Sequence, residues 1–247
     1  MSYIKSESCD GVLILTLARP THKNALSLEM YSDLVDALDE YEGNKDLRVA
    51  VIQGDETCFC AGNDLKDFLD GGQLNDSHPT VRFIHKIAQL EKPLIAAVAG
   101  PAVGIGMTML LHCDMVVAAE NSLFKLPFAQ LGLCPEAGSS YLLPKLAGSK
   151  LAFELLVLGK SFDADVAEKI GLINRRCAPE SLLSTTLELA KELARLPNNA
   201  VCASRKLLRQ SHSEATEEAI RLELEYFQTL LDGEESQTII RQFFNKS

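Results

Sequence analysis

PLIAAVAGPAVGIGMTMLL, residues 93–111, carries no charged side chain and is long enough to cross a bilayer as a helix. Gly100, Pro101, Gly104 and Gly106 interrupt it in the middle, and HCDMVVAA follows at once. A proline among glycines breaks a continuous helix. The stretch therefore reads as a buried strand, a tight turn, a buried helix and a further strand, and no membrane partner is expected.

Outward from this stretch the same alternation continues. Asp10 and Gly11 supply turn chemistry before the β-rich run VLILTL, which predicts a hairpin at the start. Ser27 is a candidate cap for a helix through about Tyr41, with Met30, Leu34, Ala37, Leu38 and Tyr41 at helical spacing. RVAVIQG reads as a buried strand, DGGQLNDSHP as a mobile surface loop, and Thr80 to Leu90 as a helix. Strands alternating with helices predict a layered α/β fold. Past Gly148 the chain turns mostly helical, with a short strand at GLINRRC and an apolar stripe of Ile220, Leu224, Phe227 and Leu231 near the end. Such a stripe packs either on its own core or on a neighbouring subunit.

Composition narrows the function. A formal net charge of −10 over 247 residues argues against a nucleic-acid partner, which is ordinarily met by a basic patch. Cys9, Cys58, Cys60, Cys113, Cys134, Cys177 and Cys202 form no regular framework and no Cys-x-x-Cys pair, so they read as reduced thiols of a cytoplasmic protein. MSYIKSESCDG has none of the apolar core of a secretory signal. The five histidines fall at no zinc spacing, and no metal is expected. GIGMTM has Met109 where a dinucleotide fingerprint needs its third glycine, and GKS at Gly159 lacks a phosphate loop's leading glycine because Glu154 stands there. No Gly-x-Ser-x-Gly elbow exists for a serine hydrolase.

Two glycine-bearing turns and one acid remain. VAVIQGDETCFCAGNDL and PLIAAVAGPAVGIGM each follow an apolar strand with small residues, which leaves backbone N–H groups uncovered where one developing negative oxygen could sit. LCPEAGSSY sets Glu136 in an apolar turn. Pro135 followed by an acid is also ordinary helix-start chemistry, so these residues alone leave a structural role and a catalytic base both open.

ARPTHKNAL, FCAGNDL, AAVAGPAVGIGMTMLLHCD and LPFAQLGLCPEAGSSYLLPKLAG, in this order and spacing, resemble the signature segments of the crotonase (enoyl-CoA hydratase/isomerase) superfamily. The nearest subgroup is the peroxisomal-type Δ3,Δ2-enoyl-CoA isomerases, similar in GNDL, GPAVGI and PExxSSY. The resemblance implies a crotonase-like (ClpP/crotonase) α/β spiral of ββα units over residues 1–190 and a C-terminal helical trimerisation region over 191–247. It implies homotrimers or hexamers built as dimers of trimers, and an acyl-CoA thioester substrate with no separate cofactor, coenzyme A being part of the substrate. The N–H groups of Asn63 and Ile105 would form the oxyanion hole. Lys23, Ala25, Ala61, Gly62, Asp64, Leu65, Gly104, Phe128 and Leu133 would bind substrate, with Phe244 and Lys246 as weaker C-terminal candidates.

The departures from the family carry the functional expectation. Where hydratases of this superfamily hold two glutamates, this chain aligns Thr108 and Phe128, neither of which can move the protons of water addition. Glu136 stands where the isomerase subgroup carries its base. The expected activity is therefore Δ3,Δ2-enoyl-CoA isomerisation in fatty-acid β-oxidation, with apolar Phe128, Leu131 and Leu133 raising the pKa of Glu136. The alternatives are a hydratase or another crotonase reaction, and a non-catalytic acyl-CoA-binding oligomer. Asp64 is expected to cap a helix or fix its loop rather than act in catalysis, and Ser139, Ser140 and Tyr141 to shape or line the pocket rather than react.

Overall fold

In the computed structural model, which describes residues 2–69 and 72–245, Asp10 and Gly11 both adopt positive φ and turn β1 (Ile4–Cys9) onto β2 (Val12–Leu17). The pairing is antiparallel, Ile4 opposite Leu17 and Cys9 opposite Val12. Next come α1 (Leu28–Gly43), with Ser27 Oγ accepting from Met30 N–H at 3.3 Å as its cap, and β3 (Val49–Gln53). The chain continues through α2 (Leu65–Leu69), α3 (Pro79–Gln89), β4 (Leu94–Val98), β5 (Pro101–Val103), α4 (Ile105–Thr108), β6 (Met115–Ala119) and β7 (Leu123–Lys125). After α5 (Ser139–Ala147), α6 (Ser149–Phe153), β8 (Phe162–Asp163), α7 (Ala164–Lys169) and β9 (Arg175–Cys177), only helices follow: α8 (Leu182–Ala194), α9 (Asn198–Gln210), α10 (Ser213–Leu231) and α11 (Glu234–Asn245).

One sheet runs β1-β2-β3-β4-β6-β9 and is parallel from β2 onward; a second, smaller sheet runs β5-β7-β8. The chain repeatedly visits the large sheet and then the small one. β4 is followed by β5, β6 is followed by β7, and β5 pairs parallel to β7. After β3, Cys60 makes a single parallel bridge to Ala102 in β5 and so adds an earlier turn of the same kind. This is the expected strand-strand-helix spiral.

Period-two alternation divides the apolar side chains between two cores. Leu13, Leu15, Leu17, Ile52, Val98 and Val116 face the layer of α1 and α3, packed with Leu34, Phe83 and Ile87. Val12, Val49, Val51, Ile95 and Val117 face α8, packed with Leu189, Ala190 and Ala194. Two details of the apolar stretch differ from expectation. Pro101–Val103 is a strand, because the Pro101 carbonyl accepts from Phe59 and Cys60 N–H at 3.1 Å each and the segment pairs with β7. The expected buried helix is the four-residue α4, which tightens into a 3-10 turn over Met109–His112. Among the described residues no helix is long and apolar enough to cross a membrane.

Candidate active site

The bridge between Cys60 and Ala102 brings the two glycine turns side by side, with Cys60 N donating to Pro101 O at 3.1 Å and Val103 N to Cys60 O at 2.9 Å. Gly62 has φ +104° and Gly104 φ +54°, backbone that L side chains rarely adopt. The two face each other: a Cβ built on Gly104 would lie 3.9 Å from Gly62 Cα. Each precedes an expected oxyanion donor, Asn63 and Ile105. The neighbouring amides are committed, since Gly104 N donates to Lys125 O and Asp64 N to Leu26 O, both at 2.9 Å. Among the described residues the N–H groups of Asn63 and Ile105 have no backbone acceptor.

Glu136 lies beside this pair. Its side chain is buried, at 3% exposure, and Oε2 accepts a long hydrogen bond of 3.4 Å from Asn63 Nδ2. Oε1 has no hydrogen-bond partner among the described residues. Burial pushes the carboxyl up to about 8; the Asn63 hydrogen bond opposes that rise and the nearby charge of Glu223 adds to it. The small cavity at Glu136 is bounded by Leu74, Thr80, Ile84, Glu223, Leu224 and Phe227, not by Phe128, Leu131 or Leu133. On that side the carboxyl group is shielded by side chains from α3, α10 and the loop before α3.

The loop around Glu136 is tied down on two sides. Glu223, on α10, accepts from Gly138 N–H at 2.6 Å with one oxygen and from Ser140 N–H at 2.8 Å with the other. His112 Nε2 donates to Ala137 O at 2.7 Å, which fixes the proton on that nitrogen because a carbonyl only accepts. Burial pulls the His112 pKa down to about 4, so the ring is neutral. Ala137 is held at φ 57°, a left-handed conformation costly for alanine. Helix α5 begins only at Ser139, so Glu136 is in the preceding loop and is not at the start of a helix.

Lys23, Ala25, Ala61, Gly62, Asp64 and Leu65 come together as a ribbon. Ala61 N donates to Lys23 O at 3.0 Å and Leu26 N to Gly62 O at 2.8 Å, with the Lys23 side chain exposed alongside. The Asp64 carboxylate is engaged by Arg19 Nη1 at 2.7 Å, and the same Arg19 nitrogen donates to Ala25 O at 3.0 Å. The other Asp64 oxygen accepts from Lys66 N–H at 3.1 Å, so the one carboxylate ties the loop to Arg19 and meets the start of α2. Phe128 and Leu133 are buried and joined by a 2.9 Å backbone hydrogen bond. Phe244 falls within α11, and Lys246 lies outside the described residues, as do Asp70 and Gly71 of the loop before α3.

Three participants escaped the sequence reading. Glu223 is a charged residue beside Leu224 in the apolar stripe of α10, and that anomaly was the available signal. Tyr31 shares a face of α1 with Leu34 and Leu38; its hydroxyl donates to Asn63 Oδ1. Leu74 comes from a stretch read only as a surface loop, yet its N–H donates to Gln228 Oε1 at 2.7 Å. Three wide surface grooves, one of them bounded by Arg205, Arg209 and His212, contain neither Glu136 nor Asn63. Size does not mark the site; the buried carboxylate does.

Residues 7–247 match the family model described as enoyl-CoA hydratase/isomerase. The chain is 35% identical over 238 residues to the 2,3-dehydroadipyl-CoA hydratase of Escherichia coli (strain K12), covering 95% of this chain and 92% of that protein. It is 36% identical over 208 residues to the peroxisomal enoyl-CoA delta isomerase 3 of Mus musculus, covering 81% of this chain and 65% of that protein. The crystal structure of an enoyl-CoA hydratase/isomerase from Pseudoalteromonas atlantica T6c superimposes with a TM-score of 0.94 at 36% identity, covering 99% of this chain and 98% of that one.

Proposed function

Because the chain belongs to the enoyl-CoA hydratase/isomerase family, we propose that within that chemistry it is a Δ3,Δ2-enoyl-CoA isomerase, converting a 3-enoyl-CoA to the trans-2-enoyl-CoA in fatty-acid β-oxidation. The observation that carries this reading is a buried carboxylate, Glu136, one of whose oxygens has no hydrogen-bond partner among the described residues, bonded to Asn63, whose backbone N–H has no backbone acceptor among them. Glu136 takes the proton from C2 of the 3-enoyl thioester. The electron pair is delocalised onto the thioester oxygen and, through the C3–C4 double bond, onto C4, giving a dienolate whose oxygen the N–H groups of Asn63 and Ile105 hold. The same carboxyl returns the proton to C4, leaving the double bond between C2 and C3. Donors of this kind contribute about 2.7–4 kcal/mol each in other enzymes. The ribbon of residues 61–65, with Lys23 beside it, is suited to the coenzyme A end of the substrate.

Hydration is the runner-up, since relatives carry both kinds of name. A second carboxylate, Glu223, does approach Glu136. Both of its oxygens are committed to backbone N–H groups of the loop, which disfavours it as the second proton carrier of a water addition. Paired assays with a 3-enoyl-CoA and a 2-enoyl-CoA test the choice: isomerisation should greatly exceed hydration, and hydration without isomerisation defeats the proposal.

The base must be ionised to act, so kcat/KM should rise with pH through about 8 in the free enzyme. A profile already flat from pH 6 upward counts against Glu136 as the base. The proposal extends to homotrimers or dimers of trimers assembled through residues 191–247, supported by the exposed Leu207, Leu208 and Tyr226 on α9 and α10. A cytoplasmic location is supported by the seven unpaired thiols.

A further inference from the structure

Asn63 is bonded on both ends of its side chain. Tyr31 Oη donates to Oδ1, and Nδ2 donates to Glu136 Oε2 at 3.4 Å. The backbone N–H of this same residue is one of the two free amides that face the proposed oxyanion. Tyr31 is itself immobilised: it is buried at 1% exposure, and its ring packs against Phe83 with centroids 5.3 Å apart. Burial keeps its hydroxyl protonated far above the usual phenol range.

An amide has two faces of opposite polarity. With Oδ1 occupied by the Tyr31 hydroxyl, the NH2 group is the end that meets Glu136, and an NH2 donor favours the ionised carboxylate. Were the amide turned over, its oxygen would face the carboxylate oxygen and repel it. We infer that Tyr31 and Asn63 form a positioning pair: the tyrosine hydroxyl sets the direction of the Asn63 amide, and that amide presents its N–H to Glu136 and keeps the carboxyl group at a fixed distance from the oxyanion donor carried by the same residue. The inference rests on Glu136 being the base. Its physical content is that the base and the oxyanion donor are registered to one another within a single side chain. The dienolate is planar, so in a given conformer its C2 and C4 stand at fixed distances from its oxygen, and a carboxylate referenced to that oxygen's donor is placed to serve both carbons. Pre-organisation of this sort counts because small displacements of a reacting group are costly in rate.

Tyr31→Phe removes the hydroxyl and keeps the ring on Phe83; Asn63→Ala removes the amide and keeps the backbone N–H. Tyr31→Phe should lower kcat about tenfold with little change in KM. It should also move the rise of the pH profile upward by about half a unit, because an ionic hydrogen bond that favoured the charged form is weakened. Asn63→Ala should move that midpoint further, and the double variant should match Asn63→Ala, since the hydroxyl acts only through the amide. A Tyr31→Phe enzyme with wild-type kcat and midpoint overturns the inference, as do losses that add in the double variant. Should Tyr31→Phe not fold, an unshifted midpoint in Asn63→Ala overturns it alone. Glu136→Gln separates the two levels: an active Glu136→Gln enzyme defeats the assignment of the base, whereas an inactive one beside an unaffected Tyr31→Phe defeats only the pair.

Discussion

Glu136→Gln is expected to lower turnover of a 3-enoyl-CoA by about 10²–10⁴-fold, the usual contribution of a general base, while coenzyme A and product analogues bind as before. Glutamine fills the same volume and still meets Asn63, but its amide cannot carry a proton from C2 to C4. Stopped-flow or steady-state absorbance with the two substrates reads the loss, and calorimetric titration with a 2-enoyl-CoA reads the retained binding. A second signature belongs to the buried ionisation. The folded-state pKa of Glu136, about 8, lies above its ordinary value of 4.5. The folded protein therefore holds an extra proton between those limits, and this contribution to stability is lost as pH rises through 8. The Gln variant lacks the ionisation, so its Tm should fall less than the wild type's between pH 7 and 9. Equal pH slopes would show that position 136 does not titrate there.

Glu223→Ala should produce the next largest effect, on stability and activity together. Its carboxylate satisfies the buried N–H of Gly138 and the partly buried N–H of Ser140. Leaving both unpaired costs about 2–5 kcal/mol in total, or roughly 5–15 °C in Tm for a chain of this size. The same two bonds help hold Ala137 in its left-handed conformation, so the loop that aims Glu136 relaxes when they go. Turnover should drop by about tenfold or more without loss of coenzyme A affinity. Glu223→Gln, which keeps one acceptor oxygen, should lie between. A Glu223→Ala protein with wild-type Tm and kcat would mean that the loop is held by other contacts. Since α10 lies within the proposed assembly region, this anchor also ties the chain's helical end to its reaction centre.

Much of the architecture was legible because it follows from local rules. The Asp10-Gly11 turn, the Ser27 cap and the apolar strands at 49–53 and 94–98 each depend on residues adjacent in sequence. Pro101–Val103 was not legible as a strand, because its partners at Cys60 and β7 come from other turns of the spiral. Phe162–Asp163 likewise forms a strand only through pairing with β7. For the site, the four signature segments identified Glu136, Asn63 and Ile105 as residues to watch, and Asp64 as a loop anchor.

The sequence's own pattern carried the layered α/β reading and the exclusion of a membrane span at residues 93–111, while the spiral and the single acid standing where hydratases hold two came from the resemblance of four segments to the crotonase superfamily. Residue types and their periodicity are sufficient for the first two, since those depend on steric preference and hydrophobic pattern. Tertiary structure alone decided that Glu136 is buried, that Leu74, Ile84 and Phe227 rather than its chain neighbours bound its cavity, and that Tyr31, Asn63 and Glu223 hold it in place. Desolvation and hydrogen-bond geometry are set by whichever atoms arrive within a few ångströms, and here those atoms come from helices separated along the chain.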